Sequence, residues 1–60
     1  MPPTILIVDD EPPVREVVRS ALAGLRVRLL EAGNGVEAMD LIEQQKPDIV
    51  ITDYMMPLWN

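Results

Sequence analysis

Thr4-Ile5-Leu6-Ile7-Val8-Asp9-Asp10-Glu11-Pro12-Pro13 is the stretch on which the fold turns. Its first half is a short aliphatic run without polar alternation, the pattern of a parallel strand covered on both faces. The run stops at three carboxylates, and a proline pair follows, where proline suits a loop or the first turn of a helix. Working outward, Val14, Val17, Val18, Ala21, Leu22 and Leu25 recur at helical spacing, with Arg15, Glu16, Arg19 and Ser20 on the other side. Gly24 is placed to end that helix. Residues 26–32 alternate imperfectly and read as a second strand, more exposed than the first. Gly33-Asn34-Gly35 is a turn with Asn34 as helix cap. The next helix carries Val36, Ala38, Met39, Leu41 and Ile42 on its apolar side. Lys46 sits where the helix dipole favours a cation, and Pro47 blocks continuation. Asp48-Ile49-Val50-Ile51-Thr52-Asp53 is a third strand, apolar until its last residue. The expected elements are strands over 4–9, 26–32 and 48–53 and helices over 13–24 and 35–45. A βαβαβ order implies a parallel α/β sheet.

Composition narrows the function. The chain has 60 residues, and a chain this short buries only about 60% of the surface it exposes when unfolded, so one small core is all that fits. There is no Cys and no His, which excludes disulfides, the usual zinc sets and an imidazole general base. Ten acidic residues against five basic ones give a net charge of −5, an unfavourable balance for contacting nucleic-acid phosphates. No run approaches the length of a membrane span, and the Met1-Pro-Pro-Thr4 start lacks the layout of a signal peptide. The expectation is a cytoplasmic, non-enzymatic chain that binds neither nucleic acid nor membrane.

Two apolar strands end in carboxylates, Asp9 and Asp10 after the first and Asp53 after the third. In a parallel sheet all strand C-termini lie on one edge, and neighbouring strands are about 4.8 Å apart. Ligand sites of open α/β sheets form at that edge. A single Asp there is ordinary; the pair together with a second strand ending in Asp points to a shared site. Carboxylates gathered this way need a cation, and oxygen-only ligands select a hard one such as Mg²⁺.

Three segments carry a resemblance to a known family. Ile5-Leu6-Ile7-Val8-Asp9-Asp10-Glu11 resembles the opening of a response-regulator receiver domain (CheY-like) of two-component signalling. Ala32-Gly33-Asn34-Gly35-Val36-Glu37-Ala38 is similar to that family's turn into its second helix, and residues 46–57 to its third strand and phosphorylation loop. The resemblance covers residues 4–57 and implies that 1–60 is the N-terminal half of a flavodoxin-like receiver unit with strand order 2-1-3. It further implies Asp53 as the phosphoacceptor, with a histidine kinase as partner. Mg²⁺ would be held by Asp10 and Asp53, by Asp9 through water, and by the backbone carbonyl of Met55. Glu11 is a candidate for the rim of the pocket.

The family places a Ser or Thr after its fourth strand and a Lys after its fifth, and neither segment is in this sequence, so impaired switching is the expectation. Lys46, the only lysine, stands seven residues before Asp53 at the other end of the strand and cannot substitute. The tail Leu58-Trp59-Asn60 also departs from the family's Gly-containing loop. With the sheet ending at the third strand, an apolar edge is left open to another chain. The alternative expectation is therefore a non-signalling, self-associating half-domain: a homodimer through Ile49, Ile51, Tyr54, Met56, Leu58 and Trp59.

Overall fold

The computed structural model describes residues 2–52, and these form strand β1 (Thr4–Val8), helix α1 (Pro12–Leu22), strand β2 (Arg28–Ala32), helix α2 (Gly35–Gln45) and strand β3 (Ile49–Thr52). The sheet is parallel and three-stranded in the order β2-β1-β3. The α/β class is the one the element pattern implies, and the strand order is the one the family resemblance implies. Asp53, Tyr54, Met55, Met56, Leu58 and Trp59 lie outside the described residues.

Strand β1 is central because it is the most uniformly aliphatic of the three. Ile5, Leu6, Ile7 and Val8 are all buried. Leu6 and Val8 stand in register with Leu30 and Ala32, and that face packs against Ala38, Leu41 and Ile42 of α2. Ile5 and Ile7 alternate to the opposite face with Leu29 and Glu31. Glu31 there pairs with Arg15 of α1, so the two helices cover opposite faces.

Register explains where the strands begin. Thr4 pairs with Arg28, which sets Arg26 and Val27 opposite Pro2 and Pro3. Prolines have no N–H to give a ladder, so β2 starts at Arg28 rather than 26. Strand β3 starts at Ile49 because Asp48 is occupied as a bracket: its N–H donates to the Thr4 carbonyl while its carboxylate accepts from the Thr4 N–H, both at 2.8 Å. At the other end β1 stops at Val8, although the Asp9 N–H still donates to Ala32 O at 3.1 Å.

Both helix faces depart from the sequence reading. No residue of α1 is buried, and Val17 is 68% exposed. A single helix lies on this face of a narrow sheet, and only the line Arg15, Val18, Leu22 turns inward far enough to be half-buried. On α2 the inward line is Gly35, Ala38, Leu41 and Ile42, while Val36, 70% exposed, and Met39 face outward.

The helix ends differ as well. Helix α1 starts at Pro12, because its first two residues need no N–H partners within the helix. It ends at Leu22, with right-handed Ala23 closing the last turn by donating to Ser20 O, so Gly24 is not the stop. Helix α2 ends on Lys46, held left-handed at φ 47°, whose N–H donates to Ile42 O at 3.0 Å. Its start is the expected one: Asn34 Oδ1 accepts from the Glu37 N–H at 2.9 Å, and Glu37 reaches back to accept from the Gly33 N–H at 2.7 Å. One of the helix's orphan donors, the Glu37 N–H, is thereby satisfied by the cap, and the Glu37 carboxylate ties back the residue before the cap in a variant of the capping box.

Candidate functional site

The C-terminal edge of the sheet is where β1 gives way to Asp9, Asp10 and Glu11. Asp9 is the buried one, 7% exposed, whereas Asp10 and Glu11 face solvent. Burial is possible for Asp9 because its polar atoms are engaged. Its N–H donates to Ala32 O, its Oδ1 accepts from the Glu11 N–H at 2.9 Å, and its carbonyl accepts from Arg15 Nη1 at 2.6 Å. The Oδ1 contact is a local Asx turn, which lets the chain leave the strand and enter the helix within three residues. Glu11 occupies the N-cap position of α1, but its side chain makes no capping bond.

Arg15 is the residue that sequence reasoning misplaced. The pattern of valines assigns it to the outer side of α1, yet its side chain is only 19% accessible. Its Nε donates to Glu31 Oε1 at 3.1 Å while Nη1 reaches the Asp9 carbonyl, so one guanidinium spans helix, acidic turn and β2. Arg19 adds a longer contact to the other Glu31 oxygen, 3.6 Å from Nη1, and a 3.2 Å pair with Glu16. A signal was present: Arg15 and Arg19 are one helical turn apart, and Glu31 shares the strand parity of Leu29, opposite Ile7. None of these ion pairs is deeply buried, and exposed pairs contribute little stability singly. Their worth here is geometric.

On the opposite side of the turn, β3 runs parallel to β1, and Val8 is the register partner of Thr52. These are the residues immediately before Asp9 and Asp53 in the sequence. Among the described residues no three potential ligand side chains converge, so Asp9 and Asp10 alone are an incomplete set for a metal ion. All the oxygen donors they offer are hard, and Asp10 is open to solvent, which suits Mg²⁺. An open hollow lined by Pro2, Pro3, Leu25, Arg26 and Val27 lies at the other edge of the sheet and contains no carboxylate. Among the described residues no helix is long and apolar enough to cross a membrane.

Strand β3 is exposed along its length, with Ile49, Val50 and Ile51 all reaching solvent. It forms one edge of the described sheet.

Comparison with known proteins places this geometry in context. The sequence model described as the response regulator receiver domain matches residues 5–60. The chain is 46% identical over 54 residues to the phosphate regulon transcriptional regulatory protein PhoB of Pseudomonas aeruginosa, covering 90% of this chain and 24% of that protein. It is 51% identical over 59 residues to the response regulator MprA of Mycobacterium sp. (strain KMS), covering 95% of this chain and 25% of that one. A protein-glutamate methylesterase/protein-glutamine glutaminase of Hahella chejuensis is 43% identical over 58 residues, or 16% of its length. The chain thus spans about a quarter or less of the curated relatives it matches.

Proposed function

Because the chain belongs to the response regulator receiver domain family, whose members interact with histidine kinases, we propose that it is the phosphoryl-accepting part of a receiver, with Asp53 as phosphoacceptor. The observation that carries this reading is the register of β1 and β3. Val8 and Thr52 are paired, and the next residue in each strand's sequence is an aspartate. The unit that donates the phosphoryl group, the pathway and the output are those of whichever kinase and protein the segment serves.

In this reading an Asp53 carboxylate oxygen forms a bond to phosphorus as the phosphorus–nitrogen bond of the kinase's phosphohistidine breaks. A carboxylate is a competent nucleophile at neutral pH because it is already ionised there. Asp10, Asp53 and the Met55 carbonyl would hold Mg²⁺ directly and Asp9 would hold it through water, with Glu11 at the rim. When bound, the ion offsets the negative charge that builds on the nucleophile and the transferring group. Asp9 supports this role by shape: its engaged Oδ1 fixes the turn, and solvent-facing Asp10 is left for the ion. A cytoplasmic location and the lack of nucleic-acid contact belong to the same reading.

Incubation with a small acyl phosphate and Mg²⁺, followed by intact mass measurement, tests it. The mass increment of one phosphoryl group is expected in the parent chain and not in Asp53→Asn. No increment in the parent, or an undiminished one in the variant, overturns the assignment.

The exposure of every β3 residue favours a second, compatible reading, in which two copies pair through β3 and the tail residues Tyr54, Met56, Leu58 and Trp59. A two-fold contact of this kind would cover the β3 edge of each copy. Sedimentation equilibrium is expected to show two-chain mass for the parent and one-chain mass for Ile51→Lys. A parent of one-chain mass at every concentration overturns this second reading and leaves the first intact.

A further inference from the structure

We infer that Arg15 is a positioning residue for the cation site, holding the main chain of the Asp9–Glu11 turn in place without itself touching the ion. The inference rests on the Mg²⁺ reading above. Three observations support it. Arg15 Nη1 donates to the Asp9 carbonyl at 2.6 Å, the shortest of the described hydrogen bonds to this turn, so the clamp acts on backbone rather than on a carboxylate. The same guanidinium donates through Nε to Glu31 on β2, which is oriented in turn by Arg19. Gly33 lies directly beneath it: a Cβ there would stand 3.4 Å from Nη1, so the β2–α2 turn leaves just enough room for the group.

The geometry requires arginine. A planar fork can satisfy two acceptors in different directions at once, whereas a lysine ammonium is a single point on a flexible stem. Charge is not what Arg15 brings to the pocket, because its partner Glu31 offsets it within the pair. What it brings is a fixed turn, and groups that orient metal ligands typically change affinity about 10–100-fold when mutated.

The test is calorimetric titration of the chain with Mg²⁺, alongside Arg15→Lys and Glu31→Gln. Thermal melts and amide hydrogen exchange at Glu11 are followed in each. Arg15→Lys keeps the charge and is expected to weaken Mg²⁺ binding about tenfold, with faster exchange at the Glu11 amide and a nearly unchanged melting temperature. Glu31→Gln keeps an acceptor for Arg15 Nε but removes the carboxylate charge, which weakens the bridge from the β2 side while leaving α1 untouched, and it is expected to act in the same direction with a smaller effect. If Arg15→Lys binds Mg²⁺ like the parent, the inference falls while the cation reading stands. If affinity falls only in proportion to lost stability, Arg15 is a fold staple and the positioning role is overturned. Absence of Mg²⁺ binding by the parent removes the cation reading itself, and this inference with it.

Discussion

Ile7 and Ile51 offer a controlled comparison of the centre and the edge of the sheet. They are the same residue type, on the same face, and direct register partners, yet Ile7 is 1% exposed and Ile51 36% exposed. Replacing each by valine deletes one methylene, worth about 0.8 kcal/mol when fully buried. At Ile7 the loss leaves a gap between β1 and α1, which brings the expected cost to about 1 kcal/mol within the usual isoleucine-to-valine range. At Ile51 part of the side chain is already in water and no enclosed gap can form, so the cost is about 0.5 kcal/mol. Valine is the right probe because a chain of this length has only about 3–9 kcal/mol of stability in total. Alanine at Ile7 would remove about 3 kcal/mol and much of the folded population. With a urea slope of about 1 kcal/mol per molar, the midpoint followed by far-ultraviolet circular dichroism should fall by about 1 M for Ile7→Val and about 0.5 M for Ile51→Val. Equal shifts, or a larger one at Ile51, would refute the placement of β3 at an uncovered edge. A midpoint that climbs with protein concentration would identify a second copy as the cover.

The two helix C-termini give opposite expectations for glycine. Gly24→Ala should stabilise by about 0.4–1 kcal/mol through the unfolded chain, because the backbone there is not left-handed and a Cβ meets nothing within 4 Å. Its melting temperature should rise by a few degrees, and a fall would show that the turn after α1 needs glycine after all. Lys46→Gly should also stabilise, by about 0.5 kcal/mol, since left-handed backbone costs an L-residue roughly 1 kcal/mol and the extra freedom of unfolded glycine returns part of it. A lower melting temperature would mean that the lysine charge near the last carbonyls of α2 outweighs the backbone term.

Those two positions also show which parts of the fold could be read from the sequence. Strand β1 was legible because Ile5, Leu6, Ile7 and Val8 are aliphatic without a break, and only a central strand buries both faces. The cap of α2 was legible because Asn34 acts through its own side chain on a donor three residues away. Gly24 misled because glycine permits a left-handed stop without requiring one, and α1 had already closed through Ala23. The beginning of β2 was missed for a non-local reason: Arg26 and Val27 have strand-like neighbours, but the prolines opposite them offer no N–H. No property of residues 26 and 27 themselves announces that.

The candidate site divides along the same line. Carboxylates that end strands are visible as letters, so Asp9, Asp10 and Asp53 could be grouped once a parallel sheet was expected, and the pairing of Val8 with Thr52 brings the first and last of these strands side by side. Arg15 was hidden because its helical phase depends on where α1 lies over the sheet. The valines at 14 and 17 pull the expected inward direction to one side, whereas the observed line keeps Val18 and Leu22 and turns toward Arg15, a rotation of less than the roughly 100° of one residue. That rotation exposes Val17, a cost in apolar burial, and carries Arg15 to the two oxygens of Asp9 and Glu31. A helix set purely by its apolar moment would have left the Asp9 carbonyl without this donor. The orientation of α1 therefore answers two demands at once, an apolar line of Val18 and Leu22 laid on the sheet and a donor for the acidic turn, and only the first of these is visible in hydrophobic patterning.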